Sequence, residues 1–338
     1  MKFPFGLILA SCCALAGAIA APPAATAISM KSLLAEMVDA DSPARLPASS
    51  YRCLQASSHD RHSVSPDKPG WFANADWSHC IREEQIGGRT EAVMMEDDGP
   101  GAIVRMWFTW FGPMDGKLNH STDGVIRIYL DGATEPVIAG TLTELLVKQG
   151  LVKPPFAETT PATAPEINRA YNIYLPIPYA KGCKVTYESK GKLGTVWNKG
   201  EALYYALNYR KFAAGTRVDT FTMADLAANA ATIARCGKQL ADAPAIPGNA
   251  TTARLHADAL APGAESVLEL TGPAAIRQVQ LRLDGITGAP DLAAALRGLE
   301  VQLDFDKQPC VRIPAGDFFA TGTRIVPFKS RYFEVTAA

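Results

Sequence analysis

The chain of 338 residues lacks the usual marks of several large enzyme classes. It has no nucleophile elbow, no HExxH, no P-loop and no Rossmann glycine fingerprint, so those routes to hydrolysis, metal catalysis or nucleotide binding have no local signature here. Five histidines are scattered as His59, His62, His79, His120 and His256, and "HDRH" lacks a defined ligand spacing, so no metal and no cofactor are expected. There is no CxxC, which argues against a zinc ribbon. Excess charge is also missing: the formal net charge is −1, which gives no electrostatic case for a nucleic-acid partner.

What the chain does have is 48% hydrophobic residues, 27 glycines and 24 prolines, the composition of a turn-rich protein with a real core. Lys2, the apolar Phe5–Ala20 and the "AIA" at Ala18–Ala20 read as a cleaved export signal over 1–20. "LASC" at Leu9–Cys12 leaves a second reading open, a lipoprotein anchored through Cys12. Either reading takes the protein out of the cytoplasm, to the periplasm or beyond. Of the cysteines after the signal, Cys53 and Cys80 are a candidate disulfide in an oxidising compartment. Buried free thiols are the other reading.

Residues 21–50 divide into a leader and a helix, with apolar positions at Met30, Leu33, Leu34, Met37 and Val38 and Ser29 as its N-cap. From 51 to 221 the pattern is β. "EAVMM", "AIVRMWFTWF", "GVIRIYLDG", "NIYLPIPY", "CKVTYES" and "ALYYALNYRKF" are short, branched or aromatic runs bounded by turn residues. "YLDG" is a hairpin signal. Strands at this density without alternating helices predict a sandwich or barrel. An Ala-rich helical linker is expected over 222–250, with Gly237 as a local stop. The loop over 51–90 is long for a compact domain and rich in aromatics, which marks it as functional.

The β pattern returns after the linker. "GPGAI" at Gly99 recurs as "GPAAI" at Gly272, and "IRIYLDGATEPV" at Ile126 as "LEVQLDFDKQPCV" at Leu299. The two intervals are equal, and Pro136/Pro309 and Glu96/Glu269 keep the same offset. We read two copies of one β module, the second over 251–338. The shared Gly-Pro turn is structural, whereas Asp97 and Asp98 are replaced by Leu270 and Thr271, so the turn itself does not need them; they read either as solvated turn residues or as acids added for ligand contact. The second copy has no counterpart of "YLPIPYAKGCKVTYES", so it is expected to be C-terminally incomplete.

Carboxylates beside aromatics are the chemistry that remains. Aromatic faces pack on sugar CH surfaces, and Asp, Arg and Asn take hydroxyls. The candidate binding residues are Asp60, Arg61, Trp71, Asp76, Asp98, Arg105, Trp107 and Asp304, and the candidate catalytic carboxyls are Asp317 and Glu334. Trp107 and Trp110 face opposite sides of a strand, so one of them is core. Asp306 is expected to shape an Asp-Lys turn. Glycoside hydrolysis needs two carboxyl groups, one protonated and one ionised.

At "SSHDRHSVSPDKPGWFANADWS", "DDGPGAIVRMW", "IRIYLDG", "YLPIPYAKGCKVTYES", "YYALNYRKF" and "PAGDFFATG" the chain resembles glycoside hydrolase family 172, with the motifs in family order from about Ser29 onward. The resemblance implies an all-β fold of tandem jelly-roll β-sandwiches. It also implies a homo-oligomer, a trimer or a multiple of it, with the active site near a subunit interface. Its members act on furanosides, including difructose dianhydride and D-arabinofuranosides, with retention and two Glu residues. Asp60 and Arg61 match the family's Ser-Ser-Tyr-Asp-Arg, with His59 in place of Tyr. Asp317 lies in the matching "GDFF", and Glu334 in the last resembling segment. Where many members carry Asp-Gly-Glu this chain reads "FDKQP", with Gln308 at the Glu position. An oligosaccharide or polysaccharide substrate follows from the resemblance. A non-catalytic carbohydrate-binding or assembly module of jelly-roll type is the alternative.

Overall fold

Two antiparallel sheets face one another across the core of the N-terminal region. The computed structural model describes residues 27–69, 71–111, 124–148, 150–159, 170–191, 193–194, 201–242, 244, 248–257 and 260–336. The expected signal segment with Cys12, and His120, lie outside these residues.

The strands are β1 (Tyr51–Ser57), β2 (Arg82–Ile86), β3 (Arg89–Asp98), β4 (Gly101–Phe111), β5 (Val125–Leu130), β6 (Ile138–Thr141), β7 (Ala157–Thr159), β8 (Tyr171–Ile173), β9 (Ile177–Tyr179), β10 (Gly182–Glu188) and β11 (Ala202–Phe212). One sheet runs β1-β11-β4-β8-β7, with β9 also on β4; the other runs β2-β3-β10-β5-β6. The chain is therefore an all-β sandwich, as its strand pattern predicts. Each expected run falls on a strand, and alternation sends Ile103, Met106, Phe108, Tyr205 and Leu207 inward. Fully burying such a side chain contributes about 1.5–3 kcal/mol.

Three buried tyrosines cross the core, and each phenol finds a polar partner. Tyr179 donates to Asp97 at 2.9 Å, Tyr187 to Glu201 at 2.6 Å, and Tyr205 to the carbonyl of His79 at 2.7 Å. Asp97 also takes Lys211 at 2.8 Å, so it belongs to the fold. Asp98, next along the strand, is exposed. The Gly-Pro-Gly turn between β3 and β4 is structural, as the repeat implied. Gly99 has φ +88°, and a Cβ on Gly101 would fall on the Tyr179 hydroxyl. We expect Gly101→Ala to cost about 1–3 kcal/mol by overpacking, read as a lowered urea midpoint. An unchanged midpoint would mean that the ring moves freely.

Helix α1 (Met30–Val38) is capped by Ser29, which exchanges hydrogen bonds with Ser32, and buries Met30, Leu33 and Leu34. Over the expected linker lie α2 (Ala224–Ala228) and α3 (Ala230–Ala241). The break falls at Asn229 rather than Gly237. The α3 helix continues through Gly237, where an added Cβ would meet Pro155 and Phe156 at ordinary contact distance. Its buried Cys236 and the packed Ile233 and Leu240 hold α3 on the core. All the described cysteines are unpaired, including exposed Cys53 and half-buried Cys80, so the candidate disulfide is replaced by free thiols.

The C-terminal region holds α4 (Ala289–Gly298), β12 (Glu300–Phe305), β13 (Gln308–Pro314), α5 (Ala315–Phe318), β14 (Phe328–Lys329) and β15 (Glu334–Val335). The β12–β13 hairpin matches the repeat's second "LEVQLDF" run. Asp306 and Lys307 form its turn with φ +51° and +65°. Between 251 and 288 the described residues form no helix or strand.

Candidate functional site

The long loop after β1 is closed at its neck by one carboxylate. Asp60 is buried, and its Oδ1 accepts the backbone N–H of His62 at 3.0 Å and lies 2.7 Å from the His62 Nδ1. Its Oδ2 accepts the Ala75 N–H at 3.1 Å, while its own N–H donates to Asp76 Oδ1 at 2.8 Å. The His62 N–H first, and then its imidazole, hold the Asp60 carboxyl down at about 2 against the opposing effect of burial. Arg61 donates to the carbonyls of Ser57 (2.8 Å), His59 (2.7 Å) and His79 (3.3 Å). It also lies 2.5 Å from His59 Nδ1, which therefore accepts. Burial, and then the Arg61 charge, push the His59 imidazole below its ordinary value, so it is neutral near pH 7. Asp60, Arg61 and Asp76 thus come together as a knot that ties the loop.

Farther out, Ser63 Oγ bonds both the N–H and the C=O of Ala73. The tip presents Trp71 and Phe72, 47% and 74% exposed, edge to face at 5.7 Å. On its return the loop docks on β11. Ser78 donates its N–H to the Leu203 carbonyl, and its hydroxyl bridges Glu201 O and Leu203 N. Between this segment, β2 and Leu193–Gly194 is a cavity of about 380 Å³, walled by Trp77, His79, Arg82 and Glu83. That size suits a small polar ligand or one to two sugar rings. Glu83 pairs with core-facing Ala92, so strand alternation turns it toward the cavity. Cys80 lies in the same wall, where burial raises its thiol to about 11, and it is no nucleophile at neutral pH.

Arg105 and Trp107 lie on the outer face of the β4 sheet, where Trp107 pairs with Ala206 and Ala206 with Ser57, the residue that His59 and Arg61 of the knot bond. Asp98 is at the opposite end of the sandwich. The knot sits beside Leu203–Tyr205, whereas Asp98 adjoins the turn whose Gly101 pairs with Lys211, about 20 Å along β11. Asp304 is exposed on β12 and accepts from Gln302. Asp317 is paired with Arg297 at 2.6 Å, and exposed Glu334 sits opposite Lys329. Among the described residues no hydrogen bond or ion pair joins these three to the loop, or Asp317 to Glu334. Nor is any group of three His, Cys, Asp or Glu placed to hold a metal ion there.

Sequence reasoning did not single out Glu83 or His79. The alternation in "IREEQI" puts Glu83 on the inner face, a signal readable only once β2 is known to be an edge strand. Trp77 was visible as one of the loop's aromatics.

The family model for the first β-sandwich domain of glycoside hydrolase family 172 matches residues 49–229, more than half of the chain and all of β1–β11. No curated protein matches the chain.

Proposed function

The chain belongs to glycoside hydrolase family 172, and we propose that it is an exported glycosidase that cleaves arabinofuranosidic or fructofuranosidic linkages with retention. Membership of the family supports a carbohydrate substrate. The observation that carries the reading beyond membership is the loop locked by Asp60. It walls the cavity with Trp77 and His79, beside Glu83 of β2, and holds Trp71 out to solvent at its tip.

Retention asks for a nucleophilic carboxylate and an acid/base carboxyl about 5–5.5 Å apart. Asp317 and Glu334 are our proposed pair, on the strength of the motifs they lie in. Both are exposed, and trimeric assembly would let one subunit's C-terminal carboxyls meet another's loop and cavity. The loop's aromatics would hold the sugar ring there, and Arg61 would keep its neighbours in register.

The test is reducing-sugar release from arabinan and fructofuranoside oligosaccharides by wild type, Asp317→Asn, Glu334→Gln and Glu83→Gln. We expect kcat to fall about 10²–10⁴-fold in each of the first two. Turnover unaffected by either, but lost in Glu83→Gln, would move the chemistry into the cavity. The pairing of Asp317 with Arg297, and of the Glu334 strand with Lys329, favours a second reading, a non-catalytic carbohydrate-binding or assembly module. Sugar binding by wild type without any turnover would establish that reading instead.

A further inference from the structure

The outer face of the six-stranded sheet carries a second arrangement suited to a glycan. Antiparallel register puts directly opposed residues on one side of the sheet. One row reads Glu158, Asn172, Trp107, Ala206 from β7 to β11; the next reads Arg105, Asn208, Gln55; a third pairs Thr109 with Tyr204. Their chain neighbours Met106, Phe108, Tyr171, Ile173, Tyr205 and Leu207 are buried, so these rows face outward.

Ala206 is the low point. Across the strands stand Trp107 on β4 and the small, buried Ser57 on β1, and along β11 stand Tyr204 and Asn208, one pleat away on each side. A methyl group among taller neighbours leaves a trough about one strand spacing, ~4.8 Å, wide. Trp107 forms its aromatic wall. Burial, and then the nearby Asp76 charge, raise the Tyr204 phenol, which stays a hydroxyl donor at that end.

Arg105 closes the other end. Its guanidinium donates to Asn208 Oδ1 and Asn172 Oδ1, both at 3.2 Å. Asn208 is itself held by Gln55 at 2.9 Å, and Asn172 lies 3.4 Å from the Tyr174 hydroxyl. These partners are neutral amides and a phenol. Among the described residues no carboxylate is paired with Arg105, although the arginines on the opposite sheet, Arg82, Arg89 and Arg127, all have one. A guanidinium oriented by two amide oxygens, with no counter-charge among the described residues, is prepared for a bidentate anion.

We propose that this face is a carbohydrate-binding surface for a carboxylated glycan, with a sugar ring seated over Ala206 against Trp107 and its uronate carboxylate on Arg105. Occupancy does not require turnover, so the surface stands or falls separately from the glycosidase reading.

The experiment is isothermal titration of the full chain with oligogalacturonate, its methyl ester and a neutral arabino-oligosaccharide. Wild type should bind the free acid at least about tenfold more tightly than the ester or the neutral sugar. Arg105→Gln should erase that preference. Trp107→Ala should weaken binding of the acid about tenfold, and Ala206→Trp should fill the trough and abolish it. The ester comparison changes only the ligand, so it decides even where a variant folds poorly. Equal binding of acid and ester, no binding of the acid at millimolar concentration, or full binding by folded Trp107→Ala and Ala206→Trp would overturn the proposal.

Discussion

Replacing Glu91 by leucine is expected to cost about 3 kcal/mol of stability, the lower end of what breaking a buried ion pair takes. Glu91 has no exposed surface, yet it lies on the outer side of the five-stranded sheet. It accepts from Thr186 at 2.6 Å, from Tyr129 at 2.9 Å and from Arg89 at 3.1 Å, and Arg127 Nη1 lies 3.5 Å away. Burial pushes its carboxyl up, but the hydrogen bonds from Thr186, Tyr129 and Arg89 and the charge of Arg127 prevail, and it sits below its ordinary value. A depressed acid contributes above the ordinary glutamate range and loses that contribution as falling pH protonates it. Without Glu91 the buried Arg127 Nη1, which already makes no hydrogen bond, keeps only the Glu188 pairing of its other nitrogen. Urea unfolding of Glu91→Leu should show the loss, and Glu91→Leu/Arg127→Met should recover most of it. A single-variant loss below about 1 kcal/mol would show that water reaches the network.

The second large effect is on the loop. Asp60→Asn keeps the shape but replaces one acceptor oxygen with a donor, so either His62 or Ala75 loses its partner. The sandwich should stay folded, since neither sheet ladder uses this side chain. The loop between His62 and Ala75 should become open to limited proteolysis, and glycoside turnover should fall about 10²-fold through misplaced aromatics. The sign of the pH dependence follows from the carboxyl at about 2. Its contribution is complete above the unfolded value of about 3.9 and is lost as pH falls toward 2. Loop cleavage by an acid-active protease should therefore be constant down to about pH 4 and accelerate below it in wild type. In Asp60→Asn it should be fast throughout. Equal protection of variant and wild type at pH 6 would show that the knot is dispensable.

How much of this was legible in the sequence depends on the range of each interaction. The strands of the first module could be read because alternation is local: "ALYYALNYRKF" announces which of its residues turn inward. Asp97 and Asp98 differ in fate by one step of that alternation: Asp97 turns inward to Tyr179 and Lys211, and Asp98 outward to solvent. The knot could not be read, because Asp60 meets Ala75 and Asp76 only after the loop has folded back. The stretch after the linker shows the limit of pattern. "ELTGPAAIRQVQL" has strand character, yet Glu269–Leu281 form no strand. In the first module β3 and β4 pair with β10, β11, β8 and β9, whereas Glu269–Leu281 pair with no strand among the described residues. The β12–β13 hairpin pairs with itself and forms. The site residues scattered for a similar reason: composition identified the chemistry of Asp60, Arg105 and Asp98, but only the register spreads them along β11, from the knot by Tyr204 through Arg105 opposite Asn208 to the turn beside Lys211.

The tied neck of the loop also bears on how such a protein can diversify. Asp60, Arg61 and Ser63 fix where the loop leaves and re-enters the sandwich, so residues 64 to 72 beyond them are released from any duty to the fold. Lengthening that tip would add only about 0.6 kcal/mol of closure entropy for each doubling. Descendants could exchange Trp71 and Phe72, or insert whole segments between them, and acquire new glycan preferences while inheriting an unaltered core.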